Sequence, residues 1–263
     1  MSPVRYTHGH HVSVVGAHAA RTIENSAAYL APILEPGMRI LDVGCGPGSI
    51  TIDLARRVGD AGHVVGIDAS AEVVEHARRA AADAGVGNVE FLVGDAYAPP
   101  GGEFDVVHAH QVLQHLGEPV SALAAWRRLG RVVAARDVIY SSTAMHPLTP
   151  ELARWREIVV ALQAANGGDG DAGAKLKAWA REAGFSSIET DVETRCFESA
   201  PGREFWGGQW AERAVHSAFA DGTERFGLAD AAERQRIADA WRAWTADDDG
   251  WMAMLHGWII ARD

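Results

Sequence analysis

The chain has 263 residues, is 48% apolar and 22% charged, and carries 24 Lys and Arg against 35 Asp and Glu, a net charge of −11. These figures fit one large globular domain with enough apolar mass for a core. So acidic a chain, with Lys only at 175 and 177, is repelled by phosphate backbones, which argues against a nucleic-acid substrate. No apolar run is long enough to cross a bilayer and no signal pattern opens the chain; the two cysteines, Cys45 and Cys196, exclude a disulfide scaffold. A cytoplasmic location without membrane attachment is expected.

In chain order, Arg21 to Leu34 sets Ile23, Ala27, Leu30 and Leu34 at helical spacing, and Pro36-Gly37 ends it. Met38 to Val43 is an apolar strand that runs into glycines, and Ser49 to Val58 is a helix. His63 to Asp68 is a second strand. Ser70 is placed to cap a helix from Ala71 to Ala84, which Gly85 stops. Val89 to Val93 and Phe104 to Ala109 are further strands, Pro119 to Leu129 a helix, and Arg131 to Val138 a fifth strand. The runs are apolar rather than alternating, as in parallel strands covered on both faces. Strands alternating with helices at this spacing predict an open, doubly wound α/β sheet. Beyond it, helices are expected at 150–165, 174–183, 205–219 and 231–244, with strands at 188–197 and 251–260. The organisation expected is an N-terminal helical cap over 1–36, a core over 37–140, and helical lid insertions at 141–170 and 199–249.

The most informative stretch is Leu41-Asp42-Val43-Gly44-Cys45-Gly46-Pro47-Gly48. A strand passes into a glycine-rich turn and then a helix, which lets backbone approach a ligand closely and offers free N–H groups. A plain tight turn would explain one or two of these glycines. A dinucleotide fingerprint needs a third Gly or Ala at the position that Ser49 holds, so the spacing argues against a pyrophosphate.

This segment resembles the first motif of the class I S-adenosylmethionine-dependent methyltransferases, in the small-molecule branch that includes the ubiquinone and menaquinone biosynthesis type. The resemblance covers about residues 37–140 and implies a seven-stranded, mostly parallel Rossmann-like sheet with helical cap insertions. It also implies that Gly44, Gly46 and Gly48, with Asp42 and Cys45 beside them, line the methionine end of S-adenosylmethionine. Asp68, with Ala69 next to it, matches the acidic residue that takes the ribose hydroxyls, which a carboxylate can accept together. Asp95 and Ala96 match the positions that meet the adenine. In Phe104-Asp-Val-Val-His-Ala-His-Gln-Val-Leu-Gln-His115, His110 falls over the expected cofactor and His115 on the following turn. Both are candidate bases. His110 could equally pack against the cofactor, and His115 could simply hold the loop. The Leu129-Gly130-Arg131 connection is several residues shorter than the Pro-Gly-Gly turn usual there, which leaves the end of that helix open.

The resemblance therefore implies methyl transfer to O, N or C of a small apolar or aromatic metabolite, with S-adenosylhomocysteine as product. The same fold could serve a cyclase or decarboxylase, since fold does not settle chemistry. Nicotinamide-dependent hydride transfer is weaker, on the glycine spacing. Trp206 and Trp210, four residues apart, share a helix face. They would form either an aromatic wall for the acceptor or the packing of the lid, and the latter is the commoner use of such a stripe. Tyr6, His10 and His11 are placed to close over the cofactor. The cluster His8, His10, His11 and His18 lacks a metal-ligand spacing, so no metal is expected. Asp247 to Gly250 reads as a helix-ending turn, and Cys45 as a packing residue. The partner expected is a small molecule and, at most, a second copy of the chain.

Overall fold

The computed structural model describes residues 21–263. Seven strands form one sheet in the order β3-β2-β1-β4-β5-β7-β6. They are β1 (Arg39–Val43), β2 (His63–Asp68), β3 (Val89–Val93), β4 (Phe104–His110), β5 (Gly130–His146), β6 (Ser187–Phe197) and β7 (Trp251–Arg262). Strands β3, β2, β1, β4 and β5 are parallel, and β7 runs antiparallel to both β5 and β6. The doubly wound, mostly parallel sheet expected from the sequence is thus present. The order reverses between β1 and β4, so the turn after β1 opens at the position where such sheets bind ligands.

The helices are α1 (Ile23–Ser26), α2 (Ser49–Val58), α3 (Ala71–Asp83), α4 (Pro119–Arg127), α5 (Pro150–Ala165), α6 (Ala172–Glu182), α7 (Ala200–Arg203), α8 (Gln209–His216), α9 (Ala218–Arg225) and α10 (Ala231–Ala246). One face of the sheet packs on α4 and α6 through Trp126, Leu123, Leu176 and Phe185. The other packs on α2 and the N-terminal segment through Leu30, Ile40, Leu54 and Ile260. A second core, centred on Trp155, Trp210, Trp241 and Trp244, joins α5 and α8–α10 to the far ends of β5 and β7.

Several boundaries differ from the sequence reading. The apolar face of 21–34 is buried as expected, but the single helix is not formed. It breaks at Ala27 (φ −142°) into α1 and a 3₁₀ turn over Ala28–Ile33, which holds Pro32. The helix expected at 205–219 is likewise divided, into a π-helical turn (Glu204–Gly208), α8 and α9, because Ser217 is extended and caps α9 by accepting Phe219 N–H. Strand β5 does not end near residue 138. It bulges between Ile139 and Ala144 and pairs on to His146 with β7. The short connection after α4 is real: Leu129 O accepts Phe104 N–H at 2.9 Å and β5 begins at the next residue. A side chain at Gly130 would come within 2.7 Å of Val107, so the direct passage needs glycine.

Candidate active site

The turn after β1 has Gly44, Gly46 and Gly48 at φ +69°, +55° and +86°, a region that L side chains avoid. Two of these glycines also serve packing. A Cβ at Gly44 would lie 2.4 Å from Val112, and one at Gly48 would lie 2.9 Å from Ala77 and Phe91. Gly46 instead acts through its backbone, and its N–H donates to Asp68 Oδ2 at 3.1 Å. Asp68 Oδ1 accepts the Ser70 N–H at 3.0 Å, while the Ser70 hydroxyl, not Asp68, caps α3. The half-buried Asp68 carboxylate thus spends part of its capacity on the turn and keeps lone pairs for two hydroxyls. Ala69 beside it is exposed.

Asp42 is used differently. It is 3% exposed, with Oδ1 bound to His108 Nδ1 at 2.7 Å and Oδ2 accepting from the Thr51 hydroxyl at 2.6 Å. Its carboxylate ties β1, β4 and α2 together beneath the turn. The Cys45 side chain lies in the core with Ile52, Val74 and Phe91, and burial pushes its thiol well up, so only its backbone borders the turn. Asp95 is exposed and accepts Tyr97 N–H at 2.9 Å, which shapes the segment after β3. Ala96 is anchored from below, because its carbonyl accepts the Trp126 indole N–H at 2.8 Å.

His110 ends β4, is 5% exposed, and has no hydrogen-bond partner at either ring nitrogen among the described residues. Burial, with Arg21 and Arg136 nearby, holds its pKa well below the ordinary value, so the ring is neutral. His115 lies on a 3₁₀ turn (Leu113–His115), where burial lowers its pKa to about 3 and Gln163 is its hydrogen-bond partner. That contact suits a residue that holds the loop. Trp210 is 1% exposed and packs edge-to-face on Trp155 at 4.8 Å, so it belongs to the helical core rather than to a pocket wall. Trp206 is half-buried and stacks on Phe197 at 4.7 Å. Tyr6, His8, His10, His11 and His18 lie outside the described residues. Asp247 to Gly250 forms the expected turn, with Gly250 N–H donating to Asp247 O. Among the described residues no His, Cys, Asp and Glu side chains cluster as metal ligands.

The glycine cradle and the half-free carboxylate beside it suit a nucleoside with unmodified ribose hydroxyls. A model of the methyltransferase domain family matches residues 34–184. The chain belongs to that family. The enzyme is an S-adenosylmethionine-dependent methyltransferase, and the residues of the cradle fit that cofactor. An uncharacterized methyltransferase of Schizosaccharomyces pombe is 31% identical over 97% of this chain and 95% of its own. The ubiquinone biosynthesis O-methyltransferase of Hahella chejuensis is 34% identical over 43% of this chain and 46% of its own. Among solved structures, the [4+2]-cyclase SpnF overlays 97% of this chain and 88% of its own, with a TM-score of 0.52 at 23% identity, a likeness of fold alone.

Sequence reasoning missed several polar groups of this methyltransferase. Asp137 on β5 is fully buried; burial raises its pKa to about 8 although it accepts N–H groups of Leu113 and Gln114. Gln111 is the one described non-glycine residue at positive φ (+56°), a strained conformation of the kind found at functional sites. Its side chain meets both Arg21 and His256, the latter at 3.2 Å. The turn over 166–170 closes on Gln114, where Asp169 N–H donates to Gln114 O at 2.8 Å. The visible signal was the Arg136-Asp137 pair inside an otherwise apolar strand, since buried charges need a reason.

Proposed function

We propose that the cradle at Gly44–Gly48, with Asp68, Ala69, Asp95 and Ala96, binds S-adenosylmethionine, and that the acceptor is a small metabolite with an apolar or aromatic body, methylated at O, N or C. The observation that carries this reading is the Gly46–Asp68 hydrogen bond, which holds a backbone turn stripped of side chains against a half-satisfied carboxylate. When bound, the cofactor supplies an electrophilic methyl group on a sulfonium, so the chain needs little acid–base machinery. Its residues bind and orient the reactants and exclude water, and such alignment contributes on the order of several kcal/mol.

His110 faces the acceptor as a neutral imidazole, able to accept a hydrogen bond or a proton from it through one nitrogen. Its lowered pKa makes it a weak base, which matches acceptors whose own proton is acidic. α5 and the helices over 199–249 act as a lid over the carboxyl edge of the sheet, with Trp206 bordering the acceptor. The similarity to an O-methyltransferase of quinone biosynthesis supports a small acceptor. The enzyme works in the cytoplasm as a monomer or homodimer; its described cysteines form no disulfide and none of its described helices is long and apolar enough to span a membrane.

Calorimetric titration with S-adenosylhomocysteine tests the site. Gly46→Val and Asp68→Ala are expected to weaken binding at least tenfold. Binding as tight as in the parent would overturn the assignment.

A further inference from the structure

Several polar side chains that the cofactor cradle does not use share one face of the sheet. His110 pairs in register with Arg136, Val138 with His256, and His256 in turn with Glu193. Registered partners, and residues two apart on a strand, point to one side. Arg195 follows Glu193 on that side of β6. Hydrogen-bond donors there outnumber the acceptors that the described residues give them. Arg136 is 2% exposed and uses Nε on Glu193 at 2.8 Å, leaving Nη1 buried without a partner among the described residues. The Arg195 guanidinium lies over the rings of Phe197 and Phe205, at 5.3 and 6.0 Å, and meets no described carboxylate. Both nitrogens of His110 are also buried and have no partner among the described residues.

Between this row and α1 lies a groove of about 440 Å³, with Arg136, Glu193, Arg195 and, from α1, Glu24 in its wall. Glu24 is exposed on α1, so the unspent donors of the wall are the buried Nη1 of Arg136 and the Arg195 guanidinium. Buried polar atoms without partners are costly, and a ligand that supplies acceptor atoms would relieve several of them together.

We propose that this groove is the acceptor's anchoring subsite and that the acceptor is an organic acid, whose oxyanion is held by Arg136 and Arg195 while its apolar body extends toward His110. This rests on the methyltransferase reading and specifies its substrate class. A guanidinium fork matches a carboxylate in geometry as well as charge, and the phenylalanine rings below Arg195 offer the apolar body a surface.

The test is binding of benzoate, with a panel of aryl and alkyl carboxylates, against the corresponding amides, to the enzyme saturated with S-adenosylhomocysteine. Carboxylates are expected to bind at least tenfold more tightly than their amides. Arg195→Gln, which breaks no ion pair among the described residues, and Arg136→Gln should each remove that preference. Glu193→Gln, by releasing Arg136, should tighten benzoate binding severalfold, which a merely structural role would not do. S-adenosylhomocysteine binding should be unchanged in Arg195→Gln. No preference for the acids across the panel, or a preference that survives both arginine substitutions, overturns the proposal. Failure of the parent to bind S-adenosylhomocysteine would instead overturn the cofactor reading on which it rests.

Discussion

Asp42 on β1 and His108 on β4 meet across the sheet at 2.7 Å, with side chains 4% and 0% exposed. Nothing in solvent can replace either partner. Removing the carboxylate strands both the imidazole and the Thr51 hydroxyl, and a buried group left unsatisfied costs about 1–3 kcal/mol. Asp42→Ala is therefore expected to lower unfolding stability by roughly 2–4 kcal/mol, read by urea denaturation, since two such groups are orphaned. The folded fraction should also bind S-adenosylhomocysteine more weakly, because this contact supports the strand end from which the glycine turn springs.

Two glycines separate backbone strain from crowding. Gly59, at φ +66°, has nothing within 4 Å of a built Cβ, whereas Gly48, at φ +86°, would press on Ala77 and Phe91. Gly59→Ala should cost about 1–3 kcal/mol from the backbone alone, because φ +66° with ψ −178° is a region essentially reserved for glycine. Gly48→Ala should cost more, because overpacking adds about 1–3 kcal/mol, and it alone should weaken cofactor binding. Thermal unfolding and cofactor titration of the pair distinguish the two effects.

The pH dependence of stability has opposing sources. Burial raises Asp137 to about 8, so between pH 4 and 8 the unfolded chain gives up a proton that the folded chain keeps. Stability from this group is complete in acid and falls as pH rises through that window. His115, lowered to about 3, acts the other way: its contribution is present above the unfolded value of 6.5 and is lost as pH falls toward 3. Asp137→Asn mimics the protonated acid. It is expected to be more stable than the parent at pH 8, by at least about 1.4 kcal/mol, the equivalent of one pKa unit. The two should converge near pH 4. Chemical denaturation across that range is the measurement, and parallel curves would count against a neutral buried carboxyl.

The two tryptophans on adjoining turns should behave differently. Trp210 is 1% exposed and meets Trp155, Trp206 and Phe219. Trp210→Ala is expected to cost about 3–5 kcal/mol, the usual toll of a large core truncation, with no selective effect on acceptor affinity in the protein that stays folded. Trp206→Ala, at a half-buried position, should cost less stability and should raise the KM for the acceptor once one is in hand.

Much of this was legible in the sequence wherever one local rule governed the outcome. The strands of the core are continuous apolar runs, and the Gly44–Gly48 turn, Ser70 as a cap and Gly85 as a stop each carry their own signal. Elements set by distant partners were not legible. β5 continues to His146 only because Trp251 to Ala253 lie alongside to pair with it. The stretch over 205–219 has helical periodicity throughout, yet it breaks at Ser217, whose hydroxyl accepts from Phe219 and donates to Arg213 O. At the site, Asp68 could be found from its place after an apolar strand. The service of Asp42 to His108, and the alignment of Arg136 with His256 and Glu193, depend on register between strands far apart in sequence. Periodicity along one segment carries no information about that.

The continuation of β5 and β7 beyond the sheet has a mechanical consequence. Their ladder runs on through Ala144–Ala253 to His146–Trp251, and α5 starts four residues later at Pro150. The helical layer is thereby spliced to the sheet by a double rail, which resists bending far better than a single loop does. Any breathing that admits or releases a molecule has to be sought instead along residues 199–230, where the π-helical turn and the extended Ser217 divide the chain into short, separately jointed rods.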